Sequence, residues 1–216
     1  MKTITVKGTG YVSASPDVIE LRFGLESTHQ NYGSAMELAE KNIASLTNAL
    51  LSVGFEKRSL VTSSFDINTD YQSKRNSDGD CVSFFVGYRI SHHLKIEFDL
   101  DTKKLEHVLA AISLCEAKPK LTVNFRVKNP SAVSEKVLRS AAQNARAKAE
   151  ILASASGVSL GELVAINYDW AELNVYSRTK YLGIGVDANM PSPHAIDIEP
   201  EDIDAEDSAT FIWQIA

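Results

Sequence analysis

Cysteine is scarce in this chain of 216 residues, with Cys81 and Cys115 the only two. That count excludes a disulfide-dense scaffold, and the wide separation of the two excludes a CxxC-type zinc or redox pair. Both are expected as free thiols: Cys115 ends an apolar helical stripe, where a small buried hydrophobe is the usual role, and Cys81 follows the polar run SKRNSDGD. A single bridge between them is the alternative in an oxidising compartment. Long apolar runs are also missing. Nothing approaches the ~20 residues of a membrane span, and MKTITVKGTG alternates apolar with polar instead of carrying the apolar core of a signal peptide. The expected address is cytoplasmic for the sequence as written, or periplasmic if a leader has been removed, with no membrane span.

An excess of basic residues is absent as well. The 22 Lys and Arg face 28 Asp and Glu, a net charge of -6. Seven of the acids, Asp197, Glu199, Glu201, Asp202, Asp204, Glu206 and Asp207, come with no intervening base, which leaves 21 acids against 22 bases elsewhere. A near-neutral body with an acidic segment does not suit a phosphate backbone, so nucleic acid is excluded as a partner. The acidic run is expected to be a solvated loop ahead of the last strand.

Catalytic motifs are missing too. Neither GxSxG nor HExxH occurs. Gly8-Thr9-Gly10 lacks the third glycine of a dinucleotide fingerprint, with Ser13 in its place, and is expected to mark a bend or bulge. His92 and His93 are adjacent in a strand and project to opposite faces, so they cannot chelate one ion together. No catalytic, cofactor-binding or metal-binding residue is therefore expected, and no cofactor.

What the chain does carry is fold-specifying pattern. Ile4 and Val6 begin a strand, and Ile19, Leu21, Phe23 and Leu25 alternate with Glu20, Arg22 and Glu26; together they suggest an N-terminal hairpin with the charged side wet. Ser34 and Glu37 read as a capping box for a helix with the stripe Ala35, Leu38, Ala39, Ile43, Leu46, Leu50 and Val53, stopped by Gly54. Val61 to Tyr71 and Tyr88 to Phe98 alternate as two strands of a hairpin joined by the polar run. Asp99 or Asp101 caps a second helix, Leu121 to Val127 is a strand, and Asn129-Pro130 opens a long alanine-rich helix. On its wheel Val137, Leu138, Ala141, Ala145, Ala149 and Leu152 share one side, and Gly157 ends it. Leu163 to Tyr168 and Ala209 to Ile215 are strands, separated by a long excursion from Asp169 to His194.

GTGYVSASPD at Gly8 to Asp17, ALLSVGF, LVTSSFDINTDY, the GYR of Gly87 to Arg89, and NARAKAEILASASGVSLGELVAI together resemble the SIMPL family (DUF541), which includes periplasmic and outer-membrane-associated bacterial proteins. The resemblance covers nearly the whole chain. It implies an α+β fold of two lobes of antiparallel sheet packed against helices, with an inserted lobe at 60–129 and the main lobe made of 1–59 plus 130–216. It implies no established reaction and brings no catalytic residues. Relatives have been linked to oxidative-stress tolerance and to the envelope. The expectation is a non-enzymatic binding or scaffold protein, a homo-oligomer with room for a protein partner. The alternative is an enzyme with an unrecognised site in the cleft between lobes. Candidate interaction residues are Tyr88, Arg89 and His92 in the cleanest alternating strand, and Trp170, Tyr176 and Tyr181 in the excursion, where Met190 would complete an apolar lip.

Overall fold

The computed structural model describes residues 2–75, 81–169, 176–179, 181–182 and 199–216. In chain order the elements are β1 (Thr3–Ala14), β2 (Val18–His29), α1 (Tyr32–Ser52), β3 (Val61–Arg75), β4 (Cys81–Asp99), α2 (Thr102–Ser113), β5 (Lys120–Arg126), α3 (Pro130–Ala155), β6 (Leu160–Asn167), β7 (Tyr181–Leu182) and β8 (Ile203–Ile215). Among the described residues they form two antiparallel sheets, ordered β1-β8-β6 and β3-β4-β2-β5-β7, with three helices. This is the expected α+β fold. The chain divides into two compact units: Met1–Asp17 with Phe125–Thr179 and Pro200–Ala216, and Val18–Asn124 with Lys180–Glu199.

In the first unit β1 and β8 pair without interruption from Thr3 opposite Gln214 to Ala14 opposite Ile203. α3 lies on this sheet through Val133, Val137, Ala141, Ala145, Ala149 and Ala153, all buried. The expected bulge at Gly8-Thr9-Gly10 does not form, because the ladder runs straight through it. The two glycines instead let the helix backbone come down onto the strand. A Cβ on Gly8 would sit 2.6 Å from Ala145 Cβ, and one on Gly10 would sit 2.7 Å from the Ala141 amide nitrogen. Asn144 Nδ2 fixes the approach by donating to the Thr9 carbonyl at 2.8 Å. Leu152, expected on the buried side, is half exposed; the stripe drifts onto Ala153 instead. Asn129 caps α3 by accepting from the Ala132 amide at 3.1 Å, and Gly157 ends it with φ 70°.

Two further expectations change here. The acidic run is not all loop: β8 already begins at Ile203, and strand alternation turns Ile203 and Ala205 inward and Asp204 and Glu206 outward. β1 and β2 do not form a hairpin either. β1 pairs with β8 and β2 with β4, in separate sheets. Asp17, which follows Pro16, ties the connection elsewhere: its amide donates to the Arg126 carbonyl and its carboxylate accepts from the Lys128 amide.

In the second unit β2 runs inside the sheet, flanked by β4 and β5. Its Ile19, Leu21, Phe23 and Leu25 are buried on the same face as Leu94 and Ile96 of β4. α1 packs on β2 and β4 through Ala35, Ala39, Leu46 and Leu50, whereas Leu38 of the expected stripe is exposed. The cap of α1 is Asn31, not Ser34; Asn31 Oδ1 accepts from the Ser34 amide at 3.3 Å. Asp101 caps α2 by accepting from the Lys104 amide at 3.0 Å. Glu20, assigned to the wet side of β2, is 0% exposed. Arg22 Nε at 2.7 Å and Asn124 Nδ2 at 3.1 Å donate to its Oε1, which is how a carboxylate is tolerated there.

Candidate functional site

Alternation along β4 decides where three of the candidate residues go. Tyr88, Ile90 and His92 lie on the face that α1 covers, and Arg89 and His93 on the other. Ile90 is buried against Ala35 and Ala39, and Tyr88 packs against that cluster. From Tyr88 outward, the face continues as a chain of edge-to-face aromatic contacts. Tyr88 meets Tyr32 at 5.4 Å and Phe85 at 5.3 Å, and Phe85 meets Tyr71 at 5.8 Å, each between ring centroids. Such pairs add about 0.5–1.5 kcal/mol each beyond the area they bury.

Nothing in the described structure covers the outer part of this face. Phe65 is 44% exposed, Ile67 40%, Tyr71 60% and Phe85 43%. Sequence pattern placed Phe65, Ile67 and Tyr71 on one side of a strand. It could not show that the strand would lie at the edge of its sheet, past the reach of α1.

His92 sits at the inner margin of the same face. Its ring meets Phe65 edge-on at 5.0 Å, and its Nε2 shares a hydrogen bond of 2.9 Å with Thr62 Oγ1. Burial, with the nearby His93 second, holds its pKa below the ordinary imidazole value. The unfolded chain therefore binds a proton at this ring more readily than the folded one, so stability falls with pH once the pH drops below about 6.5. Above that value His92 contributes no pH dependence. Denaturant melts between about pH 7.5 and about pH 5.5 should show His92→Gln losing less stability on acidification than wild type, because glutamine keeps a polar partner for Thr62 but does not titrate. Parallel curves for the two proteins would refute this.

Arg89, on the opposite face, is held by Asp70: Nη2 lies 2.7 Å and Nε 2.9 Å from Oδ2. The structure thus groups Tyr88 with His92 and separates Arg89 from both. Tyr176 belongs to the first unit, where it bridges Arg126 and has that guanidinium 5.7 Å from its ring centroid. Tyr181 pairs through its backbone with Val123. The Tyr181 side chain, Trp170, Met190 and most of the apolar lip lie outside the described residues.

Elsewhere the first unit carries hydroxyl-to-carboxylate bonds on both faces of the β1–β8 sheet, those of Asp204 and Asp202 on the outer face and that of Asp207 on the side that α3 covers. Ser13 donates to Asp204 at 2.9 Å, Ser15 to Asp202 at 2.8 Å, and Tyr168 to Asp207 at 2.7 Å. Hydrogen bonds from Tyr11 and Ser13 hold the Asp204 carboxyl below its usual range. In the second unit an open groove of about 540 Å³ runs between α1 and α2, with Ala44, Ser45, Asn48 and Cys115 along it. Cys115 is buried and Cys81 exposed, both as free thiols. Among the described residues no group of three or more His, Cys, Asp or Glu could hold a metal ion, and no helix is long and apolar enough to cross a membrane.

The family model described as "SIMPL: Protein of unknown function (DUF541)" matches residues 4–213. The chain belongs to the SIMPL family. It is similar to the 26 kDa periplasmic immunogenic protein of Brucella abortus (strain S19), 28% identical over 76% of this chain. The protein of the same name from Brucella melitensis biotype 1 is 27% identical over the same share. The match spans 65% of the length of each Brucella relative. Uncharacterized protein YggE of Edwardsiella ictaluri (strain 93-146) is 22% identical over 99% of this chain and 87% of its own length. The family resemblance read from Gly8 to Asp17 and Gln143 to Ile166 therefore holds for nearly the whole chain.

Proposed function

We propose that this SIMPL chain is a non-enzymatic binding and scaffold protein that self-associates, with the outer part of the β3–β4 aromatic face as its contact surface. The carrying observation is the exposure of Phe65, Ile67, Tyr71 and Phe85 side by side on one face. Large contiguous apolar patches are rare on soluble monomers, and the largest patch a monomer exposes is often functional. Aromatic residues are the type that anchors such contacts. Both Brucella relatives are named periplasmic, which supports a periplasmic address for this chain.

Light scattering over a wide concentration range tests the reading. Wild type should gain mass with concentration, and Tyr71→Ser with Phe85→Ser should keep its circular dichroism spectrum while losing that gain. A wild-type protein that stays monomeric throughout, or a double variant that associates as before, would remove the support.

A further inference from the structure

Among the described residues β3 is the outermost strand of its sheet, and its residues from Val61 to Thr69 are all exposed. Within β3 one stretch is regular. Ser64 to Asp70 lie opposite His93 to Gly87 without a break, and the ladder shifts register on either side, between Thr62 and Ser64 and between Asp70 and Tyr71. Those irregularities bend the strand and discourage pairing at its flanks. Between them the edge carries neither proline nor lysine, and its only charges are Asp66 and Asp70. The middle of this seven-residue window is Ile67.

We propose that the partner at this surface is a second copy of the chain, whose β3 pairs antiparallel with the first about a two-fold axis at Ile67. The proposal rests on the binding reading above and names its partner and geometry. A two-fold contact must be complementary to itself, and this window is. Ile67 meets Ile67 of the other copy, Phe65 meets Thr69, Asp66 meets Asn68, and Ser64 meets Asp70. Each acid thus faces a hydrogen-bond donor. Moving the axis to Asn68 sets Asp66 against Asp70, and moving it to Asp66 sets that acid against itself; like charges directly opposite are destabilising. The register centred on Ile67 is also the one that uses all seven residues.

The helices leave room for this arrangement. α1 packs on β2 and β4, and at ~4.8 Å between strands β4 and its copy stand about 14 Å apart, more than the ~10–12 Å width of a helix. Phe65, Ile67, Tyr71 and Phe85 of both copies then form one continuous apolar floor between the two α1 helices.

Cysteine cross-linking in a Cys81→Ser background tests the register. Directly opposed strand residues have Cα atoms about 4.5–5.5 Å apart, within disulfide reach. Under mild oxidation Ile67→Cys should become mostly covalent dimer. Ser64→Cys mixed with Asp70→Cys should give the hybrid dimer, while neither alone cross-links. If light scattering shows dimers but Ile67→Cys does not cross-link, the β3 pairing is wrong and the scaffold reading stands. If the parent is monomeric at every concentration, both fail.

Discussion

Gly10→Val should remove on the order of 3 kcal/mol of stability or more, at the upper end of overpacking costs. The reason is that neither side of the contact can retreat. β1 is held by a ladder of twelve consecutive pairs to β8, and α3 is held by a buried stripe running from Val133 to Ala153. A Cβ at position 10 would overlap the Val137 carbonyl oxygen and lie 2.9 Å from its carbon, so it meets helix backbone and not a flexible side-chain end. Valine's better strand propensity, worth up to ~1 kcal/mol, has the opposite sign and loses. Lys7→Val, on an exposed position of the same strand, should change stability by ~0.5 kcal/mol or less. Urea unfolding followed by circular dichroism and tryptophan fluorescence would read both, since Trp213 lies in the cluster with Val6 and Ala145. A Gly10→Val protein that unfolds at the wild-type midpoint would show that the helix does not sit on this strand.

That contact also marks where the sequence was legible and where it was not. The alanine face of α3 follows from helical period alone, and Ala141, Ala145 and Ala149 are buried as expected. The role of Gly8 and Gly10 does not, since a glycine that admits a helix and one that makes a bulge look the same in one dimension. Strand partners were hidden for a related reason. β1 pairs with β8, some two hundred residues away, and no local signal near Ser15-Pro16-Asp17 records that choice. Alternation located the faces of β2 but misjudged Glu20, because charge predicts exposure only until hydrogen-bond partners such as Arg22 and Asn124 are supplied. For the candidate site, alternation correctly set Tyr88 and His92 against Arg89. The exposed patch was not legible, because whether Phe65 and Tyr71 are covered depends on where α1 comes to rest.

Phe23→Ala should cost ~3–5 kcal/mol, the range for deleting a fully buried aromatic ring. Phe23 is 1% exposed, directly opposite the buried Leu94, with Leu21 and Leu25 beside it on a strand flanked by β4 and β5. A strand paired on both sides cannot shift to refill the space, so most of the cavity remains. Phe65→Ala is the informative companion. It makes the same chemical change on the same face of the same sheet, yet Phe65 is at the edge and 44% exposed. Its ring buries less area, so the cost, which includes the lost edge-on contact with His92, is ~1 kcal/mol. Denaturant melts of dilute protein should therefore separate the two variants by several kcal/mol. In concentrated protein the difference should narrow, because Phe65 gains burial from the second copy and Phe23 has no more to gain. An unchanged gap would mean that Phe65 remains in water at every concentration, against a contact at the β3 edge.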